Sequence, residues 1–285
     1  MRKITYTVEE KFNNSTVGAY LTKEKSVSHR LITKLKRKPM GITKNGEHTR
    51  TVDTIYNGDV IAIMLEDTKT LDGNSDLDVP IIYDDDDVVV FNKPVGMPVH
   101  PSHLHQGDTL GNFFASRYGD ISFRPINRLD RDTSGLCVVA KNAYAAKILQ
   151  ASLDKTYFAI VCGELDGGGS ISAPIARVND SIIMREVSTL GQTAVTDYTT
   201  IISANGYTLV RVKLKTGRTH QIRVHFSYLG YPLAGDDMYG GSTDGISVQA
   251  LHCGEVSFTH PINKNRLEFS TDIREDMKKL LVIDK

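Results

Sequence analysis

The strongest constraint on the fold is a set of short apolar runs, four or five residues long and separated by turn-forming residues. Val88-Val89-Val90-Phe91, Leu136-Cys137-Val138-Val139-Ala140, Tyr157-Phe158-Ala159-Ile160-Val161 and Thr208-Leu209-Val210-Arg211-Val212 are rich in β-branched or aromatic side chains. They are too short for buried helices and predict strands. Helices are expected near residues 109–118 and 143–152. Strands in this excess predict an α+β domain built on a mixed or antiparallel sheet with flanking helices. At 285 residues the chain is long enough for one large domain and a small appendage.

The appendage is expected over residues 1–66. Residues 16–24 and 28–37 read as two short helices, the second starting at Ser28, a suitable N-cap. Lys34, Lys36, Arg37 and Lys38 crowd its C-terminal end, where cations suit the helix dipole, and Pro39 and Gly41 stop it. Asn45-Gly46 marks a hairpin turn, and Gly58-Asp59 leads into the strand Val60-Ile61-Ala62-Ile63. Two helices, a hairpin and a closing strand resemble the alpha-L RNA-binding motif of a small-subunit ribosomal protein. The net charge of the chain is zero, yet residues 1–66 hold 12 Lys and Arg against 7 Asp and Glu. That imbalance suits an arm for an anionic polymer. Residues 67–78, polar and acidic, are expected to link it to a large domain over residues 79–285.

There is no apolar run of 18 residues and no apolar stretch at the N-terminus, so neither a membrane span nor a secretory signal is expected. Cys137, Cys162 and Cys253 are scattered in strand-like contexts and read as core residues of a reducing compartment. A cytoplasmic monomer is the expectation.

The segment with most chemistry is Arg128-Leu129-Asp130-Arg131-Asp132-Thr133-Ser134-Gly135, which feeds directly into the strand at Leu136. A loop held by a sheet is a good mount for catalytic groups. A carboxylate flanked by arginines is favoured in its ionised form and can serve as nucleophile, general base or metal ligand. Asp132, Thr133 and Ser134 read as turn-shaping residues.

This segment resembles the Arg-Leu-Asp-x-x-Thr-Ser-Gly signature of RluA/RluD-type pseudouridine synthases. Asn92-Lys93-Pro94-Val95-Gly96, Lys155-Thr156-Tyr157-Phe158-Ala159 and Thr216-Gly217-Arg218-Thr219-His220-Gln221-Ile222-Arg223 match further segments in the family's order, continued by Gly235-Asp236, Tyr239-Gly240 and Leu251-His252. The resemblance covers roughly residues 80–270. It implies the pseudouridine synthase fold with a catalytic cleft, and an isomerase that turns uridine in structured RNA into pseudouridine without cofactor or metal. Large-subunit ribosomal RNA is the expected substrate and tRNA the next. No protein partner is implied.

By the same resemblance, Asp130 is the essential aspartate, acting at the sugar C1′, at the pyrimidine ring, or on a sugar proton. Tyr157 lies against the target base and Arg223 pairs with the aspartate. Arg128 enters the space left by the flipped-out base. Arg218, His220 and Gln221 are expected at the RNA, Lys93 at the cleft lining, and Lys34, Arg37 and Lys38 at the RNA through the N-terminal unit. Many family members have His where this chain has Asn127, which bears on substrate subclass.

Other features carry milder expectations. His100, His103 and His105 sit in a Pro-containing loop with no ligand-spaced Cys or carboxylate. His225 is expected to support Arg223 or touch RNA phosphates, and Asp84–Asp87 reads as a solvated turn. Lys213, Lys215 and Arg218 form a basic stripe toward the site. Two rival functions are a metal-dependent transferase or phosphatase using Asp130 and Asp132, and a non-catalytic RNA-binding assembly factor. Asp130 and Asp132 precede the buried strand rather than follow one, which counts against the first. Joint presence of Asp130, Tyr157 and Arg223 counts against the second.

Overall fold

The computed structural model describes residues 2–66, 71–179 and 181–282. The N-terminal part runs β1 (Arg2–Thr7), β2 (Ser15–Thr16), α1 (Val17–Ala19) continuing as a wider turn over Tyr20–Glu24, α2 (His29–Leu35), β3 (Ile42–Lys44), β4 (Glu47–His48), β5 (Thr54–Ile55) and β6 (Val60–Leu65). Ser28 caps α2 by accepting from Leu31 N at 3.1 Å. Asn45 and Gly46 both take positive φ, as the two-residue turn between β3 and β4 requires. A sheet ordered β1-β6-β3-β4 packs Ile4, Ile42, Ile61 and Ile63 against Leu21, Leu31 and Leu35. That core also takes in Tyr144 of the large part.

The remainder continues β7 (Ile81–Asp84), β8 (Val88–Lys93), α3 (Leu110–Tyr118), β9 (Ser134–Ala140), α4 (Ala143–Ser152), β10 (Asp154–Cys162), β11 (Gly168–Ser172), β12 (Ile175–Arg177), β13 (Arg185–Val187), β14 (Val195–Ala204), β15 (Tyr207–Leu214), α5 (Gln221–Tyr228), β16 (Leu251–Thr259), β17 (Arg266–Ser270) and α6 (Glu275–Leu280). Among the described residues nine strands form one sheet, ordered β11-β14-β15-β10-β16-β9-β8-β7, with β17 also on β16. Its described pairs are antiparallel except β9 with β16, so the sheet is mixed and the α+β expectation holds. β9 is buried along its whole length between layers, which is why it reads as an uninterrupted apolar run.

The parallel seam depends on one glycine. Gly135 has φ +104°, and a Cβ there would fall 2.3 Å from the Cys253 carbonyl oxygen. Cross-strand pairing then sets Tyr157, Cys253, Gly135 and Lys93 in one row across β10, β16, β9 and β8. The three cysteines are free.

Two expectations meet the structure here, and the second needs correction. The described part of the acidic connector packs on the large part, and this refines the linker expectation: Asn112 of α3 donates to the Asp72 carbonyl at 2.8 Å, and Asn74 N donates back to the Asn112 carbonyl at 3.1 Å. Residues 67–70 of that connector lie outside the described residues. Asp84–Asp87 is not simply a solvated turn, because Asp87 is buried. It accepts a two-pronged bond from Arg2, at 3.2 and 2.7 Å, and one from Asn142 at 2.7 Å, so charge pairing compensates its loss of water. Asp85 beside it accepts from the Asp87 and Val88 amides and from Tyr83, and meets His260 at 2.8 Å. The trio Asp85, Asp87 and His260 is close enough to hold an ion, but these partners already occupy its oxygens.

Candidate active site

A cleft of about 570 Å³ opens where the loop before β9, the start of β10 and the start of α5 converge. It lies within the size range of small-ligand pockets. Its walls include Arg128, Asp130, Tyr157, Arg218, His220 and Arg223. Asp130 reaches this point because the preceding segment is pinned to β9. Asn127 accepts from Val138 N at 2.8 Å and donates to the Leu136 carbonyl at 2.9 Å, and Thr133 N closes a turn on the Asp130 carbonyl at 3.1 Å. Asn127 is therefore buried brickwork of the loop.

Tyr157 sits at a bulge in the β10–β16 ladder, an irregularity that re-aims a side chain. It is buried, and burial pushes its phenol well above the ordinary value, so the hydroxyl keeps its proton at neutral pH.

Arg223 lies in the first turns of α5, also buried. Its Nε and Nη2 donate to Asp236 at 2.6 and 2.8 Å, and its Nη1 lies 3.6 Å from Asp130 Oδ2. Burial works to lower the guanidinium's pKa, yet the bonds and charge of Asp236, with Asp130, leave it raised. The cation is locked on, and it keeps one prong free for Asp130. His220 begins α5 in the left-handed region at φ 55°, with Nε2 3.8 Å from Asp130 Oδ2 and Nδ1 2.8 Å from Tyr239 Oη. Burial lowers its pKa, against the pull of Asp130. One carboxylate thus faces two nitrogen groups beside a neutral aromatic hydroxyl, an arrangement suited to nucleophilic and proton-transfer chemistry on a planar substrate.

A family model described as RNA pseudouridylate synthase matches residues 87–228. The uncharacterized RNA pseudouridine synthase YjbO of Bacillus subtilis (strain 168) is 37% identical over 270 residues, covering 90% of this chain and 95% of that protein. The chain belongs to the RNA pseudouridine synthase family. Ribosomal large subunit pseudouridine synthase D of Vibrio parahaemolyticus (serotype O3:K6, strain RIMD 2210633) is 38% identical, covering 82% of this chain and 79% of that one, so the family type is RluA/RluD. Among solved structures, human RNA pseudouridylate synthase domain containing 1 superposes with TM-score 0.58 at 27% identity, covering 71% of this chain and 86% of that one. The chain is an isomerase that forms pseudouridine in RNA.

Within this pseudouridine synthase, the expected site residues divide. Asp130, Tyr157, Arg223, Arg128, Arg218 and His220 come together at the cleft, with Arg128 exposed on its rim. Lys93 does not line it. It is fully buried behind the Asp130 loop, donating to the carbonyls of Pro94, Met97 and Arg131 at 2.8, 2.7 and 2.9 Å. Burial lowers its pKa to about 8. Gln221 touches the cleft wall but its amide is spent within the fold: the oxygen accepts from Thr216 Oγ1 and Arg218 N at 2.8 and 3.0 Å, and the nitrogen donates to Val195 O and Thr196 Oγ1 at 3.0 and 2.9 Å. All its capacity is used, so it braces the loop instead of reading RNA. His225 serves neither Arg223 nor phosphate, being buried between Thr196 Oγ1 and the Ala173 carbonyl, each 2.9 Å away. Lys34, Arg37 and Lys38 lie on or just after α2, away from the cleft, where Lys34 donates to the Glu66 carbonyl and Lys38 pairs with the Glu66 carboxylate.

Sequence reasoning assigned no role to Asp236 or Tyr239. Their pairs Gly235-Asp236 and Tyr239-Gly240 were visible as matching segments, but nothing local shows that both turn toward Arg223. No helix among the described residues is long and apolar enough to cross a membrane.

Proposed function

We propose that Asp130 is the nucleophile of this pseudouridine synthase and that it acts on a uridine everted from structured RNA, large-subunit ribosomal RNA in the first place and tRNA in the second. The observation that carries this is the position of its carboxylate in the cleft, with Arg223 Nη1 at 3.6 Å, His220 Nε2 at 3.8 Å and Tyr157 on the wall. The reaction breaks N1–C1′, forms C5–C1′, moves the C5 proton off the base and leaves a proton on N1, so it needs no oxidant and no group donor. Attack by Asp130 at C1′ or on the ring, or removal of a sugar proton, all fit that balance. A paired base is out of reach inside a helix and must be flipped out. In this reading the exposed Arg128 at the rim fills the vacated space, and Tyr157 lies against the base.

The ribosomal preference is supported by relatives named for the large subunit, such as the Vibrio protein. Residues 1–66 are proposed as a recruiting domain joined through 67–78 to the catalytic domain of 79–285, acting in the cytoplasm. Supporting this, α2 exposes Arg30 and Lys34, the residues just after it expose Lys36 and Arg37, and no Asp or Glu occurs between Glu24 and Glu47.

The test is Asp130→Asn, nearly isosteric but without charge. Pseudouridine formation should vanish while RNA affinity stays within about threefold, as for loss of a group acting in the transition state. Full activity would remove Asp130 from the mechanism. Mapping pseudouridines in RNA from a strain lacking the protein identifies the substrate: missing sites in tRNA alone would overturn the ribosomal assignment.

A further inference from the structure

We infer that Tyr239 is a positioning residue that sets the tautomer of His220, so that the imidazole presents an N–H to Asp130. The inference rests on the reading of Asp130 as the reacting carboxylate.

Tyr239 ends the short turn Asp237–Tyr239. Its Oη lies 3.0 Å from the Arg185 backbone nitrogen and 2.8 Å from His220 Nδ1. The Arg185 amide can only donate, so the hydroxyl accepts from it. A tyrosine hydroxyl has a single proton, and His220 Nδ1 is the partner placed to take it. Nδ1 is then an acceptor, and in the neutral ring the remaining proton sits on Nε2. Nε2 is the atom that faces Asp130 Oδ2. The other tautomer would aim a lone pair at that oxygen, and the two would repel.

Independent geometry points the same way. His220 is a non-glycine residue in the left-handed region, a conformation that persists where its surroundings over-determine it. Its side chain is 9% exposed. The Tyr239 ring also carries the Arg223 guanidinium 4.8 Å from its centroid, so one side chain supports both groups that face Asp130. The groups facing His220 are Asp130 from the loop before β9, Arg223 from α5, Asp236 and Tyr239 from the following turn, and Arg185 from β13. Burial outweighs the carboxylates among these and favours the neutral ring. The Arg185 amide belongs to the β12–β13 hairpin, so docking of that hairpin is coupled to the tautomer.

The experiment is ¹⁵N NMR of the histidine rings in the full-length protein, with kinetics on variants. In the wild type, His220 is expected to show a bare Nδ1 and a protonated Nε2 at neutral pH; a proton on Nδ1 overturns the inference whatever Asp130 does. Tyr239→Phe frees Nδ1, so the ring should shift toward the other tautomer and kcat should fall about tenfold or more, with KM within about threefold, the scale of a lost hydrogen bond to a charged group. An unchanged ¹⁵N pattern with kcat within about twofold overturns it. His220→Gln, which keeps an N–H near the Nε2 position, should retain more activity than His220→Phe; equal losses overturn it. Activity in Asp130→Asn would instead strike the reading of Asp130 and leave the ring measurement standing.

Discussion

Arg223 gives its two-pronged edge to Asp236, at 2.6 and 2.8 Å, and turns only its remaining nitrogen to Asp130, 3.6 Å away. The buried guanidinium is neutralised by one carboxylate so that it can face another without being consumed by it. Asp130 keeps its charge compensated and its oxygens open toward the cleft walls.

Asp236→Asn should therefore weaken catalysis without touching substrate. It leaves the buried Arg223 cation with Asp130 as its sole nearby carboxylate among the described residues, and the arginine will swing toward it. Single-turnover rates should fall about 10- to 100-fold with RNA affinity within about threefold, and thermal or denaturant unfolding should show a loss of about 3 kcal/mol, as when one partner of a buried pair is removed. A rate within twofold of wild type would mean that Asp236 does not hold Arg223 in place.

Lys93 ties the Asp130 loop to the β8 turn through three carbonyls, one of them Arg131's. Only the ammonium can donate three times. Its pKa is lowered to about 8, so activity should decline as pH rises through about 8. Stability moves the other way. The folded state releases this proton before the unfolded chain does, so folding gains between pH 8 and the ordinary lysine value of 10.5. Lys93→Met should flatten the activity limb near pH 8 at a lower rate; an unaltered limb would assign it to another group.

His252 bridges Ser134 Oγ at 2.8 Å and Thr271 Oγ1 at 3.0 Å beneath the parallel seam. Burial, helped by Arg274, lowers its pKa from 6.5 to about 4. The unfolded chain takes up the proton first on acidification. Stability from this residue is complete above pH 6.5 and drains away as pH falls toward 4, by up to about 3 kcal/mol. Denaturant melts of wild type and His252→Gln across pH 4 to 7 measure it: the two curves should converge in acid. Parallel curves would refute the assignment.

On α2 and its end, Lys36 and Arg37 are exposed. Replacing both by Ala should lower RNA affinity at low salt and reduce the slope of log K against log salt by about 2, one for each lost phosphate contact. Activity on a short RNA at saturation should stay unchanged. An unaltered slope would demote the N-terminal unit to a structural appendage.

Part of this architecture is encoded in local pattern alone. Strand runs of alternating or continuous apolar residues, the Asn45-Gly46 turn, the Ser28 cap and the loop carrying Asp130 each depend on neighbours a few positions apart, and each is where it was expected. Tertiary structure decided which polar groups are spent inside the fold. Gln221, Lys93 and His225 look as available as Arg218 on paper, but partners brought from far along the chain saturate them: Lys93 by a carbonyl 38 residues away, His225 by one 52 residues away. The same holds for Asp236 and Tyr239, whose value to Asp130 exists because α5 packs on β13 and β14 and the turn after it packs back on α5. A side chain's hydrogen-bonding capacity is written in its residue type, but whether any is left for a substrate depends on who arrives in three dimensions.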